Sequence, residues 1–253
     1  MKILITICLS LWITVPCLAG QLSPNYPGIV ALWHFNEASG TSGKDETANA
    51  NHWTHDCPYV TGTWGNMVYN GTASIYDGRS TKNASTCGMT GDISFTIWAV
   101  ATWVDMPDAS GYKQIWVIGW GANAAGNRSM TISLFNGAFG FQNHWGVWIA
   151  GLNWFDSGYH VTANQKISMC ITYNKDTNYM YAYTNGILTG QQNGFNVNFA
   201  DTVFYMNTAF VGDSVGTKVF YEDELALFNR DLSAREVKQL HNWFFHPTKV
   251  GGN

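Results

Sequence analysis

Charge is scarce in this sequence. Asp, Glu, Lys and Arg make up 12% of its 253 residues and the formal net charge is -4, whereas an average soluble domain is about one quarter charged. No basic stripe is present to meet a phosphate backbone or an anionic lipid surface, so nucleic acid and acidic membranes are set aside as main partners. Past the N-terminal segment no stretch offers the ~18 uninterrupted apolar residues of a spanning helix, so membrane insertion is not expected. Cys-x-x-Cys pairs, a Gly-rich phosphate loop and a Gly-x-Ser-x-Gly elbow are missing as well, which removes the sharpest signals for a zinc ribbon, a nucleotide site or a serine hydrolase of that type. Helix signals are nearly absent until the C-terminal end, and no repeat, linker or low-complexity tract divides the chain.

The N-terminus has its own pattern. Met1 and Lys2 precede an apolar run over residues 3–16, and Cys17-Leu18-Ala19 supplies small residues where a signal peptidase reads. This predicts a signal peptide over 1–19, with one domain over 20–253 that is secreted to the extracellular space or the cell surface. Pro16 occupies the place where a lipoprotein would need a small residue. Of the five cysteines, Cys8 and Cys17 fall in the signal, leaving Cys57, Cys87 and Cys170. Cys57 and Cys87 lie in polar, turn-rich stretches and Cys170 in an alternating strand pattern. The expectation is a Cys57 to Cys87 disulfide and a buried Cys170 thiol, with three free thiols as the alternative that spacing leaves open.

What the chain has in quantity is aromatic and apolar residues, 15% and 46%, set in short runs between Gly, Asn and Asp clusters. Strands are predicted over 29–35, 67–69, 94–104, 114–119, 129–135, 139–142, 166–173, 179–184, 203–211 and 218–228. Between Phe95 and Val104 both alternation sets are apolar, which marks a central strand covered on both faces. Asn174-Lys175-Asp176-Thr177 and Asn185-Gly186 read as reversals, because Asn and Gly accept positive φ at low cost. Ser233 followed by Glu236 is a capping box opening a short helix through Val237 and Leu240. The fold class is therefore all-β: a two-sheet antiparallel jelly-roll sandwich with a short C-terminal helix.

Four segments resemble, in order, the laminin-G-like, concanavalin A-like lectin/glucanase superfamily. They are Leu32-Trp33-His34-Phe35-Asn36-Glu37 through Thr41 with Asp45, then Ser94-Phe95-Thr96-Ile97, then the hairpin from Ile167 to Gly186, and last Asp223-Glu224-Leu225 through Ser233 with Glu236. Asn36 stands where many members have Asp, and Val100 where a Trp is usual. The resemblance implies a sandwich over about residues 28–240. It does not choose among lectins, adhesive modules and hydrolases or lyases, because one fold hosts them all.

Four constellations bear on chemistry. Glu222 and Glu224, two apart on a predicted strand, would share a face about 7 Å apart, within the range of a glycosidase carboxyl pair; the alternative is a solvated or ion-binding edge, and the superfamily's Glu-x-Asp-x-Glu pattern is absent. His52, His55 and Asp56 are metal-ligating types whose spacing suits a strand poorly. Trp148 and Trp154, with Asn153 and Asp156, form a candidate sugar site, since pyranose C–H faces pack on aromatic rings while amides and carboxylates fix hydroxyls; Trp145, Trp116, Trp120, Tyr112 and Asn143 flank it. Tyr179, Tyr181 and Tyr183 share one strand face and make a second platform. For each aromatic the competing reading is core packing.

The resemblance also brings structural calcium. The opening loop supplies oxygen donors in Asp45, Asn49 and Asn51 near Gly43, and Asp223 would approach if the first and last strands pair. The competing reading is that these side chains only cap turns. Asn70, Asn83 and Asn127 head glycosylation tripeptides of the kind used by eukaryotic hosts. The sequence thus predicts a secreted module that binds an extracellular glycan or glycoprotein. Self-assembly into a fibre or surface layer, suggested by Trp243-Phe244-Phe245, and a polysaccharide hydrolase or lyase remain the alternatives.

Overall fold

The computed structural model describes residues 22–37, 40, 42–54, 59–62, 65–69, 82–103, 113–121, 128–136, 142–149, 154–197, 199, 203–206 and 220–246. The expected signal peptide, Cys57, His55, Asp56, Tyr112, Asn153, Asn70 and Asn127 lie outside them. In chain order the strands are β1 (Ile29–Trp33), β2 (Ser42–Gly43), β3 (Trp53–Thr54), β4 (Tyr59–Gly62), β5 (Gly65–Tyr69), β6 (Lys82–Asn83), β7 (Phe95–Trp103), β8 (Lys113–Gly121), β9 (Arg128–Asn136), β10 (Gln142–Ile149), β11 (Trp154–His160), β12 (Lys166–Asn174), β13 (Tyr179–Thr184), β14 (Ile187–Asn193), β15 (Val203–Met206) and β16 (Phe220–Phe228). One helix, α1 (Ala234–Phe245), follows them.

Among the described residues the strands form an eight-stranded sheet in the order β14-β13-β12-β7-β16-β5-β4, with β1 also on β16, and a six-stranded sheet in the order β11-β10-β9-β8-β15-β6. Every pairing between them is antiparallel. The expected all-β sandwich with a C-terminal helix is the architecture found. β7 lies between β12 and β16, and all nine of its residues are buried. This is what two apolar alternation sets require: Ile97, Ala99 and Ala101 face the core between the sheets, while Trp98 and Val100 face a second cluster beneath α1.

Local chemistry fixes the reversals. Asn174 Oδ1 accepts from the backbone N–H of Asp176 and Thr177 and from the Thr177 hydroxyl, which holds the β12–β13 turn. Asn185 and Gly186 both have positive φ, 53° and 74°, and turn β13 into β14, as the primed turns of hairpins require. Ser233 and Glu236 form the capping box in both directions. Val237 and Leu240 then seat α1 on the outer face of the eight-stranded sheet, and Phe244 meets Trp98 edge-on with centroids 5.8 Å apart. Of the apolar run at the end of the helix, Phe244 and Phe245 are partly buried and Trp243 is exposed.

Candidate functional site

The outer face of the six-stranded sheet at its β10–β11 edge gathers the polar and aromatic groups most suited to a ligand. Trp145, Val147 and Phe155 belong to the inter-sheet core, so strand alternation turns His144, Gly146 and Trp148 of β10, and Trp154 and Asp156 of β11, outward. Trp148 and Trp154 are directly opposed in the ladder, with centroids 6.3 Å apart and rings tilted 53°. Both are half-buried. Trp145, three positions before Trp148 and so on the opposite face of the strand, is fully buried and donates its indole N–H to Thr184 Oγ1 at 2.8 Å.

Next along the face Gly146 is opposite Asp156, and beyond it His144 is opposite His160. Gly146 has no side chain and is itself buried, so only backbone separates the indole pair from the polar pair. The register slips between those two rungs because β11 carries extra residues around Gly158. Gly158 has φ +73°, and a β-carbon there would come within 2.7 Å of the Thr189 carbonyl oxygen, so the bulge depends on glycine. The bulge fixes Asp156, whose carboxylate accepts from His144 Nδ1 at 3.0 and 3.1 Å and from the Gly158 N–H at 2.9 Å. His144 and His160 meet edge to face at 5.8 Å.

On the next strand Ser133 is opposite Gly146. Its hydroxyl is buried and has no hydrogen-bond partner among the described residues, and the same holds for Asn143 Oδ1. Unsatisfied buried oxygens cost ~1–3 kcal/mol each and are rare in finished cores. Ser133 is itself fully buried, so the groups at the surface of this face are the two indoles, His144 and the Asp156 carboxylate. That is the complement of a hydroxylated ring with one apolar face.

The other residues singled out in the sequence fall elsewhere. Glu222 and Glu224 do not share a face. A bulge at Asp223 sets Glu222 opposite Ala101 and Glu224 opposite Val100, so Glu222 turns toward the inter-sheet core and Glu224 toward the layer under α1. The expected carboxyl pair is thereby corrected: a period of two fails where one extra residue enters the strand. Glu222 is fully buried with neither oxygen partnered among the described residues, and burial pushes its carboxyl well above the usual range. Glu224 meets His34 Nδ1 at 2.7 and 2.9 Å. Burial pushes Glu224 up to about 7 against the opposing pull of His34. Asp223 pairs with Lys166, whose ammonium lies over Phe244.

Asp45, Asn49 and Asn51 do come together in one loop. Asp45 is buried, and its carboxylate accepts from the N–H groups of Leu32 (3.0 Å), Thr47 (2.9 Å) and Asn51 (2.8 Å) and from the Thr47 hydroxyl (2.8 Å). Asn49 donates to the Val30 carbonyl at 2.7 Å, and His52 Nδ1 accepts from the Asp45 N–H. Two donors on each Asp45 oxygen use its lone pairs to clasp the loop onto β1. Asp223, tied to Lys166, is not among the groups Asp45 touches. Among the described residues no three His, Cys, Asp or Glu side chains cluster as metal ligands would. Cys170 is buried, with its thiol pushed well above its ordinary range by that burial, and Cys87 is buried at the end of a 3-10 turn. No disulfide occurs among the described residues.

No protein-family model matches the chain, and no curated protein matches it in sequence. Solved structures do. Domain 4 of AbnA, an extracellular GH43 arabinanase from Geobacillus stearothermophilus solved with arabinotriose, superposes with a TM-score of 0.59 at 14% identity, over 84% of this chain and 98% of that one. The binding domain of botulinum neurotoxin DC, solved with rat synaptotagmin II, gives 0.63 at 14% identity over 87% of this chain and 52% of that one. A botulinum neurotoxin type C structure, described with cell entry that depends on two ganglioside molecules, gives 0.61 at 13% identity over 84% and 52%. This chain thus spans nearly all of the arabinanase domain and about half of the toxin chains. At these identities the likeness is one of fold: an antiparallel β-sandwich.

Proposed function

We propose that this protein is a secreted glycan-binding module whose primary site is the β10–β11 outer face, with Trp148 and Trp154 as the stacking surface and Asp156, oriented by His144, as the hydroxyl acceptor. The observation that carries this reading is the outward tryptophan pair set beside a fixed carboxylate across Gly146. A core would not leave two indoles partly exposed on the far side of a sheet. The fold neighbours support it: one was solved with arabinotriose and another is described with gangliosides. The site carries a carboxylate at its centre, so the preferred ligand is a neutral sugar, because an anionic one would bring like charges together.

A glycan array probed with the chain from residue 20 onward tests this. Signals are expected on neutral oligosaccharides, with loss on Trp154→Ala and weakening on Asp156→Asn. A uniformly blank array, or signals unchanged in both variants, would refute the assignment.

A further inference from the structure

A second aromatic pair lies on the opposite outer face, and nothing in the primary site uses it. Met180 and Ala182 of β13 belong to the inter-sheet core, so Tyr179 and Tyr181, which alternate with them, turn outward. Their rings are 5.8 Å apart with 20° between planes. Both are half-buried. In the ladder Tyr179 has Asn193 of β14 on one side and Asn174 of β12 on the other, and Tyr181 has Gln191 and Thr172. Gln191 and Asn193 are exposed.

The helix explains why this corner is open. α1 and the segment before it cover β16, β7 and β12 as far as Tyr183, which joins the cluster under the helix, and Tyr181 touches that cluster only at its margin. Beyond this line the outer face has no roof among the described residues. Of the nearby charges, Lys175 is paired with Asp176 at 2.7 Å, and Asp231, which accepts from the Asn174 amide at 2.8 Å, adds negative charge. What remains is two nearly parallel phenol rings edged by primary amides, with no unpaired cation beside them among the described residues to hold a phosphate or an acidic headgroup.

We propose that Tyr179, Tyr181, Gln191 and Asn193 form a second neutral-glycan site, so that one molecule bridges two glycan chains. The second site stands on its own residues; the bridging rests on the reading given above for Trp148 and Trp154. A protein partner that adds a strand to β14 is disfavoured, because that edge already abuts β11: a β-carbon on Gly190 would sit 2.9 Å from the Asp156 carbonyl oxygen. The patch is also too small and too polar to anchor a stable protein interface. β14 and β11 meet at one seam, and the two aromatic pairs look outward from opposite sheets beside it. Two sites that cannot contact the same sugar unit raise avidity on a dense glycan surface by about 10²–10⁴ over either site alone.

The test uses beads coated with arabinotriose, xylotriose, mannotriose or galactotriose, with bead agglutination and bound protein read in parallel. Wild type should agglutinate at least one bead type. Tyr179→Ala/Tyr181→Ala should still bind singly but fail to agglutinate, with about a tenfold or greater loss of retained protein. Tyr179→Phe/Tyr181→Phe, which keeps the rings, should agglutinate nearly as well. Replacing Gln191 with Glu, an exposed change that leaves the fold alone, should weaken the same response. If the alanine double variant agglutinates like wild type, the second site is wrong while the first stands. If it loses all retention and Trp148→Ala/Trp154→Ala behaves as wild type, the second site is right and the primary assignment fails. Absence of retention on every bead type by wild type would overturn both.

Discussion

Trp98 and Trp154 occupy equivalent places, each pointing outward from a sheet of the same sandwich, and meet opposite fates. Trp98 is 1% exposed because α1 lies over it, whereas Trp154 is only partly buried, with no helix described over the β10–β11 corner. The sheet alone therefore does not decide whether an outward aromatic becomes core or binding surface. The roof does, and here the roof is a capped helix twelve residues long together with Leu232 before it and Leu22 and Tyr26 of the N-terminal segment.

The largest effect should come from emptying the roofed face. Trp98→Ala is expected to cost about 3–5 kcal/mol in urea unfolding, as large-to-small changes in cores do, while Trp154→Ala should cost about 1 kcal/mol or less. Equal losses would erase the distinction between the faces.

Asp45→Ala comes next. It would strand three backbone N–H groups and the Thr47 hydroxyl around β1, at a cost of about 3 kcal/mol. The same geometry bears on the calcium expected from the sequence. With its lone pairs occupied by chain donors, Asp45 needs no ion, so the melting temperature should be the same in millimolar calcium and in EDTA. A rise of several degrees with calcium would show that the clasp opens to take one.

The pH dependence is somewhat smaller. Glu222 and Glu224 keep their protons above the ordinary carboxyl value of 4.5 in the folded chain, so the folded state binds more protons than the unfolded one above that pH. Their contribution is full at acid pH and shrinks as pH rises from about 4.5 toward 7. Burial alone would lower His34, but the hydrogen bond and charge of Glu224 outweigh it and raise the imidazole above 6.5. That stability is present below 6.5 and lost as pH rises through the folded value. All three groups make the protein less stable on going from pH 5 to pH 8. Glu222→Gln should flatten this slope and add about 1–3 kcal/mol at pH 8, because an uncharged isostere avoids burying a carboxylate. A profile that climbs toward pH 8 would contradict the assignment. Smallest is Ser233→Ala, which breaks the capping box and should cost about 1 kcal/mol, lowering protection of Phe244 from solvent without touching glycan binding.

The roofed face was largely readable from the sequence. Doubly apolar β7, the Asn-Gly reversal and the Ser-x-x-Glu cap are local signals, each set within a few residues. The open face was readable only in part. Its Trp148, Trp154 and Asp156 stand out by residue type, yet β11 has the polar sequence Trp-Phe-Asp-Ser-Gly-Tyr-His and the edge strand β14 runs through Gly190, Gln191 and Gln192, so neither segment carries a strand pattern. The bulges were invisible. Nothing in Glu222-Asp223-Glu224 announces an extra residue, and the His34 partner of Glu224 lies 190 positions away. His144, which fixes Asp156, carries no signal of its own in the sequence, because its i, i+2, i+4 spacing with Gly146 and Trp148 has meaning only on a strand that runs from Gln142 to Ile149.

Isothermal titration of the wild type with its best array ligand, set against Trp148→Ala and Trp154→Ala with melting temperatures taken on the same samples, tests the central claim most directly. Each alanine should weaken binding about tenfold, near 1.4 kcal/mol, while the melting temperature moves by only a few degrees. Unchanged affinity in both variants, or affinity lost only in proportion to lost folded protein, would contradict the claim that this open face is the binding site.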